Sequence, residues 1–266
     1  MPRRVAIFTD DPGWHGARLR QAFAARGIES VYVSLRDCRI DLAHGRHGIV
    51  MPGFESKLPD GVFVRGVPGG TLEQVTFRLG ILHALKEAGI PVYNDGRAIE
   101  RTVDKSTTSL LLASAGVPTP PTWVTESAAQ ARAVLMREGA AGREVVIKPL
   151  FGSQGTGLRR LSAGMDIPGM EQYQHVCYLQ SYVESGDGRW HDHRVFVIAR
   201  KAVAAMVRRG VSWINNVAKG GRCEALALTS ELAELAEAAT RAVGADYAGV
   251  DVVCGQDGRL WVIEVN

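Results

Sequence analysis

The sequence predicts an α/β domain followed by two lobes of mixed helix and strand, so the expected fold class is α/β and α+β. Three observations lead to this prediction. Apolar strand segments alternate with helical patterns through residue 97. A glycine-rich stretch at 145–157 lies between two strand segments, and the chain ends in two further apolar strands that each carry a carboxylate.

The first domain is predicted over residues 1–97. Short apolar runs such as RVAIF are typical of buried strands, and the helical patterns between them end at glycines. Strands that alternate with helices in this way favour a parallel sheet covered on both faces. The predicted strands are 4–8, 29–35, 62–64 and 91–93, and the predicted helices are 14–26 and 72–88.

The rest of the chain is predicted to form a central lobe over 98–183 and a C-terminal lobe over 184–266. A helix over 98–112 precedes a rigid proline-rich break at 115–121. The segments 193–198 and 202–207 have the spacing of an antiparallel pair, although their linker lacks a glycine turn signal. The other predicted strands are 122–124, 144–148, 158–161, 178–183, 248–253 and 260–265, and the other helices are 127–138 and 229–243.

Composition excludes several classes of protein. Hydrophobic residues make up 46% and charged residues 22% of the 266, which argues against a disordered or fibrous chain. The net charge of +3 is too small to indicate nucleic-acid binding. The four cysteines show no CxxC spacing, which argues against a zinc or redox motif, and scattered thiols fit a reducing compartment better than a disulfide scaffold. Without a signal-peptide pattern or an apolar run of membrane length, a cytoplasmic location is expected.

The most informative segment is VVIKPLFGSQGTG at 145–157. Its glycines allow positive φ and bring backbone N–H groups close to an anion. Lys148 precedes the glycines, whereas a Walker A loop ends in a GK[ST] triplet that opens a helix. Another strand follows, which argues against a Rossmann site. The pattern indicates a strand–loop–strand flap with a lysine at its base, although a plain hairpin turn would also explain the glycines.

Two carboxylates lie on the last two predicted strands, Asp251 in GVDVV and Glu264 in WVIEVN. On adjacent strands they can face the same side, and buried like charges are costly unless a cation compensates them. Mg²⁺ takes one or two such carboxylates together with phosphate oxygens and water. Asn266 projects from the same face as Glu264 and adds a neutral oxygen. The alternative is an exposed strand face with ordinary charges, against which the apolar neighbours argue.

Lys105 and the segment YLQSYV at 178–183 are weaker signals on their own. A lysine on a helix is usually solvated. An apolar strand that leads into a turn is either a plain core strand or a hinge between two lobes whose backbone groups recognise adenine. These two features gain meaning only in combination with the others.

Five segments in this order resemble the ATP-grasp superfamily, most closely the RimK-like amino-acid ligases, and the resemblance covers residues 60–266. The resemblance implies an ATP-grasp fold, in which an N-terminal pre-ATP-grasp domain precedes two lobes that clasp ATP. The segments are DKSTTSLLLASAGVPTPPTWV, VVIKPLFGSQGTG, LQSYVESGDGRWHDHRVFVI, MVRRGVSWINNVAKGG and GVDVV…WVIEVN.

The resemblance also implies roles for individual residues. The two lysines contact ATP phosphates, the loop 152–157 closes over them, and the hinge residues hold adenine largely through backbone groups. The implied ATP-binding residues are Lys105, Lys148, Gly152, Ser153, Gln154, Gly155, Thr156, Gly157, Gln180, Tyr182 and Val183. The implied ligands of Mg²⁺, or of Mn²⁺ in its place, are Asp251, Glu264 and Asn266.

The substrate-binding residues implied by the resemblance are Arg194, Arg208 or its neighbour Arg209, and Asn216, which would hold the substrate carboxylate or the acyl phosphate. Either arginine of the 208–209 pair can face inward, because neighbouring residues alternate on a strand. In HDHR at 191–194, the pair Asp192/Arg194 fits the inward face of the family's strand. The histidines are then expected to face outward, which disfavours a histidine metal site.

The expected activity is that of a ligase, which uses ATP to activate a carboxylate as an acyl phosphate and joins it to an amine. The enzyme is expected to add glutamate or a similar amino acid to an acceptor: a tetrahydromethanopterin-type coenzyme, a peptide tail or a lysine-pathway carrier. The segments VRGVPGGTLEQ and PVYNDGRAIERT are similar to enzymes of tetrahydromethanopterin coenzyme assembly. The expected partners are small-molecule substrates and, by analogy, further copies of the chain, with neither nucleic acid nor a membrane.

The alternative interpretation is a catalytically silent ATP-binding regulator that kept the same fold. The two lysines and the acidic residues argue against it.

The sequence departs from the family pattern at two places. Ser181 occupies a position where the family often has an acidic residue. The chain also ends at Asn266, where relatives continue through a loop into a helix, so we expect the sequence to be truncated.

Overall fold

The structure is a computed structural model that describes residues 3–43, 48–152, 155–186, 190–215 and 220–266. It separates into two compact units, residues 1–100 and 101–266. The predicted N-terminal domain over 1–97 stays a prediction. The predicted division of the second part after residue 183 stays a prediction.

The first unit contains a parallel four-stranded sheet in the order β2-β1-β5-β6. The apolar run of β1 is buried at its C-terminal half, with Phe8 packed beside Val64 and Leu82 in the core. A capping box at Thr71 and Gln74 starts the helix α2. The elements are β1 Arg4–Phe8, α1 Gly13–Ala24, β2 Glu29–Val33, β3 Arg39–Ile40, β4 Ile49–Val50, β5 Gly61–Val64, α2 Leu72–Glu87, β6 Val92–Tyr93 and α3 Gly96–Val103.

The second unit begins with an antiparallel sheet in the order β7-β10-β8-β9. The strand EVVIK is apolar because Val145 and Ile147 face a core shared with Leu179 and with Leu135 of α5. Its elements are α4 Lys105–Ser114, β7 Thr122–Thr125, α5 Ala128–Ala140, β8 Val145–Lys148, β9 Arg159–Leu161 and β10 Cys177–Ser181, and a 3₁₀ turn covers Met170–Tyr173.

A second antiparallel sheet follows in the order β13-β12-β11-β14-β15. The helix α6 covers one face of it, where Val195, Val197, Val250 and Val252 are buried. The opposite face therefore carries the alternate side chains, which include Asp192 and Arg194 of β11, Arg208 of β12 and Asp251 of β14. The elements are β11 His191–Ile198, β12 Lys201–Arg209, β13 Arg222–Leu226, α6 Ser230–Val243, β14 Tyr247–Cys254 and β15 Leu260–Val265.

The structure corrects the predicted helix over 98–112. The chain forms two helices there, and the break lies at Asp104, whose side chain accepts hydrogen bonds from the backbone N–H groups of Ser106 and Thr107. An aspartate in this position caps a new helix because it satisfies donors that have no partner within the helix. Lys105 is consequently the first residue of α4 and does not lie inside a longer helix.

Other differences concern strand limits and turns. The hinge strand β10 ends at Ser181, so Tyr182 and Val183 lie beyond it. The hairpin between β11 and β12 is formed by Ala199 and Arg200, both at positive φ, which is the signature of a type I′ turn even without glycine. The edge strand β13 was not predicted, because most of its side chains are exposed and it has no apolar alternation. Within the described segments, none of the helices combines the length and the apolar character needed to cross a bilayer.

Candidate functional site

A cleft in the second unit brings most of the predicted site residues together. It lies against β8, β10, β14 and β15, and we call it the cleft throughout. Arg194, Gly157 and Asn266 are outside the set of described residues that line it, and Ser153, Gln154 and Asn216 lie outside the described residues altogether. The predicted residues that line the cleft are Lys105, Lys148, Gly152, Gly155, Thr156, Gln180, Tyr182, Val183, Arg208, Asp251 and Glu264.

Lys148 stands at the end of β8, where the strand leads into the glycine-rich loop. Its Nζ donates a hydrogen bond to Gln180 Oε1 at 2.7 Å and lies 5.7 Å from the centre of the Tyr178 ring. Burial lowers the pKa of the Lys148 ammonium to about 8, with the nearby Lys105 charge lowering it further and Glu264 opposing the shift. The cleft therefore holds a partly desolvated cation that an anionic ligand would stabilise.

Gln180 was predicted as an adenine contact, and its side chain also forms hydrogen bonds with neighbouring residues of the cleft. It is 2% exposed, and its Nε2 donates to Thr122 Oγ1 and to Tyr178 Oη, both at 3.1 Å. With both donors engaged, the amide oxygen is fixed toward Lys148. The side chain of Gln180 thus orients the lysine, a role that the sequence did not reveal because the two residues lie on different strands.

Lys105 reaches the cleft from the first position of α4. Its Nζ donates to the carbonyl of Gly152 at 2.9 Å and lies 3.9 Å from Glu264 Oε1. Burial lowers the pKa of Lys105, while the Glu264 and Asp104 charges oppose that shift. The lysine therefore joins the glycine-rich loop to the acidic end of the cleft.

The glycine-rich loop has glycines where only glycine fits. Gly155 and Gly157 have φ of 70° and 74°. A Cβ built on Gly157 would lie 2.7 Å from Pro149 Cγ, closer than side chains approach each other. Tyr173 Oη donates to the carbonyl of Gly157 at 3.1 Å and fixes the end of the loop. The sequence prediction of positive φ at these two positions is therefore confirmed.

Apolar and aromatic side chains form the wall of the cleft beyond the hinge. Tyr182 stacks with Arg160, whose guanidinium carbon lies 4.0 Å from the ring centre, and its ring meets Trp213 edge-on at 6.1 Å. The Tyr182 N–H donates to the Glu144 carbonyl at 2.9 Å. The apolar lining residues nearby are Val146, Leu158, Val253 and Ile263. Such a surface suits a flat, uncharged ring system.

The acidic end of the cleft contains a network of alternating charges. Asp251 and Glu264 are directly opposite each other on β14 and β15. They face the same side of the sheet, as expected from the sequence. Asp251 is 2% exposed and accepts from Arg194, with Nε to Oδ1 at 2.6 Å and Nη2 to Oδ2 at 2.7 Å. Arg208 Nη2 lies 2.9 Å from the same Oδ2. A pair of guanidinium groups therefore compensates the charge of this buried carboxylate.

The structure decides which of the two neighbouring arginines faces inward. Arg208 is 5% exposed and forms a bidentate pair with Asp192, whereas Arg209 is exposed and pairs with Glu224 at 3.0 Å. Direct pairing of Asp192 with Arg208 across β11 and β12 puts them on one face. Burial raises the pKa of Asp192, an effect that its hydrogen bonds with Arg208 oppose.

The expectation that both histidines of HDHR face outward needs correction for one of them. His191 lines the cleft, and its Nδ1 lies 3.3 Å from Ser185 Oγ. It lies at the start of β11, next to Trp190 and Ser185, which also line the cleft. Among the described residues, no group of three or more His, Cys, Asp or Glu side chains forms a metal cluster.

The oxygen donors of the cleft fit a divalent cation shared with a phosphate ligand. Two carboxylates, Asp251 and Glu264, line the cleft, and Mg²⁺ commonly takes one or two carboxylates and completes its shell with phosphate oxygens and water. Asn266 lies at the margin, with its Nδ2 3.5 Å from Asp251 Oδ2. Two lysines, an inward arginine and two carboxylates in one cleft are therefore suited to binding and positioning a polyphosphate.

Comparison with known families gives two matches that together cover nearly the whole chain. Residues 102–266 match the RimK-like ATP-grasp domain, and residues 3–99 match the RimK PreATP-grasp domain. The junction between the two matches falls at the same place as the division between the two units of the structure.

Individual proteins are similar over most of the chain. The tetrahydromethanopterin:alpha-L-glutamate ligase of Methanosarcina acetivorans is 31% identical over 95% of this chain and 83% of its own length. The protein of the same name from Methanococcus maripaludis is 34% identical over 77% of this chain and 69% of its own length. Among solved structures, the ATP-grasp ligase PsnB in complex with a precursor variant, Mg and ADP superposes with a TM-score of 0.74 at 22% identity, covering 100% of this chain and 90% of that one. At this identity, the likeness to PsnB bears on the fold.

Proposed function

This chain belongs to the RimK-like ATP-grasp family of ATP-dependent carboxylate–amine ligases, and from this premise we propose that it joins glutamate through its amino group to the carboxylate of an acceptor. The alpha-L-glutamate ligases among its relatives support glutamate as the amine. The same relatives favour an acceptor of the tetrahydromethanopterin type, and a peptide tail is the second candidate. The observation that carries the proposal is that Lys105, Lys148, Asp251 and Glu264 line a single cleft.

A carboxylate resists attack by an amine because its negative charge repels the nucleophile and oxide is a very poor leaving group. In the proposed first step, an oxygen of the acceptor carboxylate bonds to the γ-phosphorus of ATP while the bond to the β-phosphate oxygen breaks and ADP leaves. The amine then attacks the acyl phosphate carbon, loses a proton and expels inorganic phosphate. Such transfer depends mainly on positioning and charge stabilisation.

The cleft residues supply these two requirements. Lys148 and Lys105 would neutralise the phosphates, and the loop 152–157 would close over them and keep water from the acyl phosphate. Arg208 would hold the acceptor carboxylate through the N–H groups of its guanidinium that Asp192 does not engage. Asp251 and Glu264, with Asn266 beside them, would hold Mg²⁺ or Mn²⁺, which would supply positive charge that stabilises the phosphates.

Adenine recognition would use the wall beyond the hinge. Because the Tyr182 N–H is donated to Glu144, we assign the polar contacts to the Tyr182 carbonyl and the Val183 N–H. The apolar side chains of Val146, Val253 and Ile263 would cover the faces of the ring. Ser153, Gln154 and Asn216 keep their predicted roles as contacts to the phosphates and the substrate.

The decisive experiment is an ADP-release assay with MgATP, glutamate and candidate acceptors added singly and together. A ligase releases ADP over many turnovers only when both the acid and the amine are present, because the amine is needed to discharge the acyl phosphate. A silent ATP-binding regulator would bind MgATP and release no ADP in response to either substrate. Omitting each component in turn serves as the control.

The cellular setting and assembly follow as finer proposals. Within the described residues, Cys38, Cys177, Cys223 and Cys254 form no disulfide, which suits a reducing cytoplasm. The exposed apolar side chains of Phe196 and Ile198 on one face of β11 support a homo-oligomer. Sedimentation analysis of the purified protein tests the second of these proposals, and a monomer in solution would contradict it.

ATP affinity is expected to depend on pH through Lys148, whose pKa lies at about 8. Bound phosphates favour the charged ammonium, so ATP binds more weakly as the pH rises through that value and binding is coupled to proton uptake. At pH 9, with roughly one lysine in eleven protonated, affinity should be about tenfold lower than at pH 7. Calorimetry in two buffers of different ionisation enthalpy measures the uptake. A Lys148→Met variant that takes up the same proton would contradict the assignment.

The Gly157→Ala variant is expected to lower kcat/KM for ATP about tenfold, because the added Cβ would clash with Pro149 and strain a positive φ, moving the loop. Gly164→Ala is the matched control. It has a φ of 83° but nothing within 4 Å of the added Cβ, so it should cost stability without changing the kinetics. Equal kinetic effects of the two substitutions would show that strain alone, and not loop closure, is being measured.

A further inference from the structure

Asp192 has no part in the function proposed above, although it is 5% exposed and lines the cleft. Both of its oxygens accept hydrogen bonds from Arg208, with Nε to Oδ1 at 2.6 Å and Nη2 to Oδ2 at 2.7 Å. Burying a carboxylate in this way is costly, and it is tolerated only where the geometry of the pair is good. The position of Asp192 therefore needs an explanation beyond a surface charge.

Arg208 is shared between two carboxylates. Its Nη2 also lies 2.9 Å from Asp251 Oδ2, and Arg194 donates to both oxygens of Asp251. A divalent cation that takes Asp251 as a ligand meets two guanidinium groups on the same carboxylate. Like charges on one carboxylate repel each other strongly at these distances when the site is buried. Cation binding at Asp251 thus requires that at least one guanidinium yields.

We propose that Asp192 is a positioning residue that holds Arg208 in the cleft and thereby leaves Asp251 available to the divalent cation of the ligase reaction. The proposal rests on the proposed function, in which Asp251 is a cation ligand. Arg208 has two short bonds to Asp192 and a single longer one to Asp251. It can therefore release Asp251 and stay where it faces the acceptor carboxylate.

Without the Asp192 charge, the anionic partner of Arg208 that remains in this network is Asp251. The guanidinium then competes with the cation for that carboxylate. Loss of the Asp192 charge therefore weakens cation binding and also leaves Arg208 less firmly held. If Asp192 acted only through its own negative charge, removing Arg208 in addition would restore cation binding only as far as the lost positive charge offsets the lost negative charge.

Direct Mn²⁺ binding in the presence of ADP, followed by the electron paramagnetic resonance signal of free Mn²⁺, tests the proposal. We expect Asp192→Asn to weaken Mn²⁺ binding at least about tenfold. Arg208→Met, which removes the competing guanidinium, should bind Mn²⁺ at least as tightly as the wild type. The double variant should return to the affinity of Arg208→Met, because Asp192 acts through Arg208.

Glu224→Gln provides the matched control. It removes the carboxylate that pairs with Arg209, the residue next to Arg208 on β12. This pair lies at the surface, so the substitution should leave Mn²⁺ binding unchanged. Thermal unfolding of each variant checks the fold, and the double variant replaces a buried ion pair with neutral groups, an exchange that proteins often tolerate. In the ligase assay, Asp192→Asn should raise KM for the acceptor acid more than KM for ATP.

Wild-type Mn²⁺ affinity in Asp192→Asn would overturn the proposal. So would weak binding in Arg208→Met, or a double variant that binds as weakly as Asp192→Asn. These outcomes are separate from those of the proposed function. A wild-type protein that releases no ADP with any acid and amine, yet shows the expected order of Mn²⁺ affinities, would defeat the ligase assignment for these substrates and leave the role of Asp192 intact.

Discussion

We expect the Lys148→Ala variant to form ADP at least about a thousandfold more slowly than the wild type, because it loses a charge that is preorganised at the site of phosphoryl transfer. Lys148 is held by Gln180, whose own donors are fixed by Thr122 and Tyr178. A mobile water or ion cannot replace a cation whose position is set by three side chains. The measurement is ADP release at saturating MgATP, acid and amine.

The fold should survive this substitution. Burial already disfavours the ammonium, so its removal relieves a desolvation penalty while leaving Gln180 with its other two partners. The loss of one hydrogen bond costs about 1 kcal/mol. Lys201→Ala is the control, because that lysine is 79% exposed and pairs with Glu237 at the surface. Unchanged turnover in Lys148→Ala would defeat the proposed function.

The second large effect is expected at Asp251 and Glu264. Variants of both residues should lose activity, but they should differ in the stability of the folded protein. Glu264→Gln should lower kcat by at least about a hundredfold, because a ligand that fixes the divalent cation is lost. Its side chain is one-third exposed and its nearest cation, Lys105, is 3.9 Å away, so the unfolding temperature should barely change. Kinetics at increasing Mg²⁺ concentration will show whether excess cation restores part of the rate.

Asp251→Asn should lose activity to a similar or greater degree and should also destabilise the protein by about 3–5 kcal/mol, since it removes the buried partner of Arg194 and Arg208. Thermal unfolding of the two variants side by side measures the contrast. Asp257→Asn, in the turn that joins the two strands, is the exposed control. Equal stability of the two carboxylate variants would mean that the arginine network does not depend on Asp251.

Much of the fold and half of the site could be predicted because local patterns carried them. The strand EVVIK is apolar because its side chains are buried on both sides of the sheet, and its lysine marks the point where the chain leaves the core. Positive φ at Gly155 and Gly157 could be expected because glycine adopts it without the steric cost of a Cβ. Asp251 and Glu264 can face the same side because they lie on adjacent strands, and a bulge between Asp251 and Val252 brings the two carboxylates directly opposite each other.

The parts that could not be predicted depend on contacts between distant segments. Asp192 faces Arg208 because a bulge between Phe196 and Val197 shifts by one residue the register that the turn at Ala199 and Arg200 sets for β11 and β12. A shift of one residue there would have turned Arg209 inward instead. The break at Asp104 was missed for a different reason. An aspartate within a helical sequence pattern either lies inside one helix or caps a new one, and the packing of the next helix decides between the two.

The sequence by itself determined the order of the elements, the residue types of the cleft and the family resemblance, because strand alternation, glycine conformation and motif spacing are properties of neighbouring residues. Tertiary structure alone decided the partners: Gln180 for Lys148, Asp192 for Arg208, and both arginines for Asp251. The reason is physical. The energy of a buried charge depends on the groups within a few ångströms of it, and strand register and packing bring those groups from remote parts of the chain.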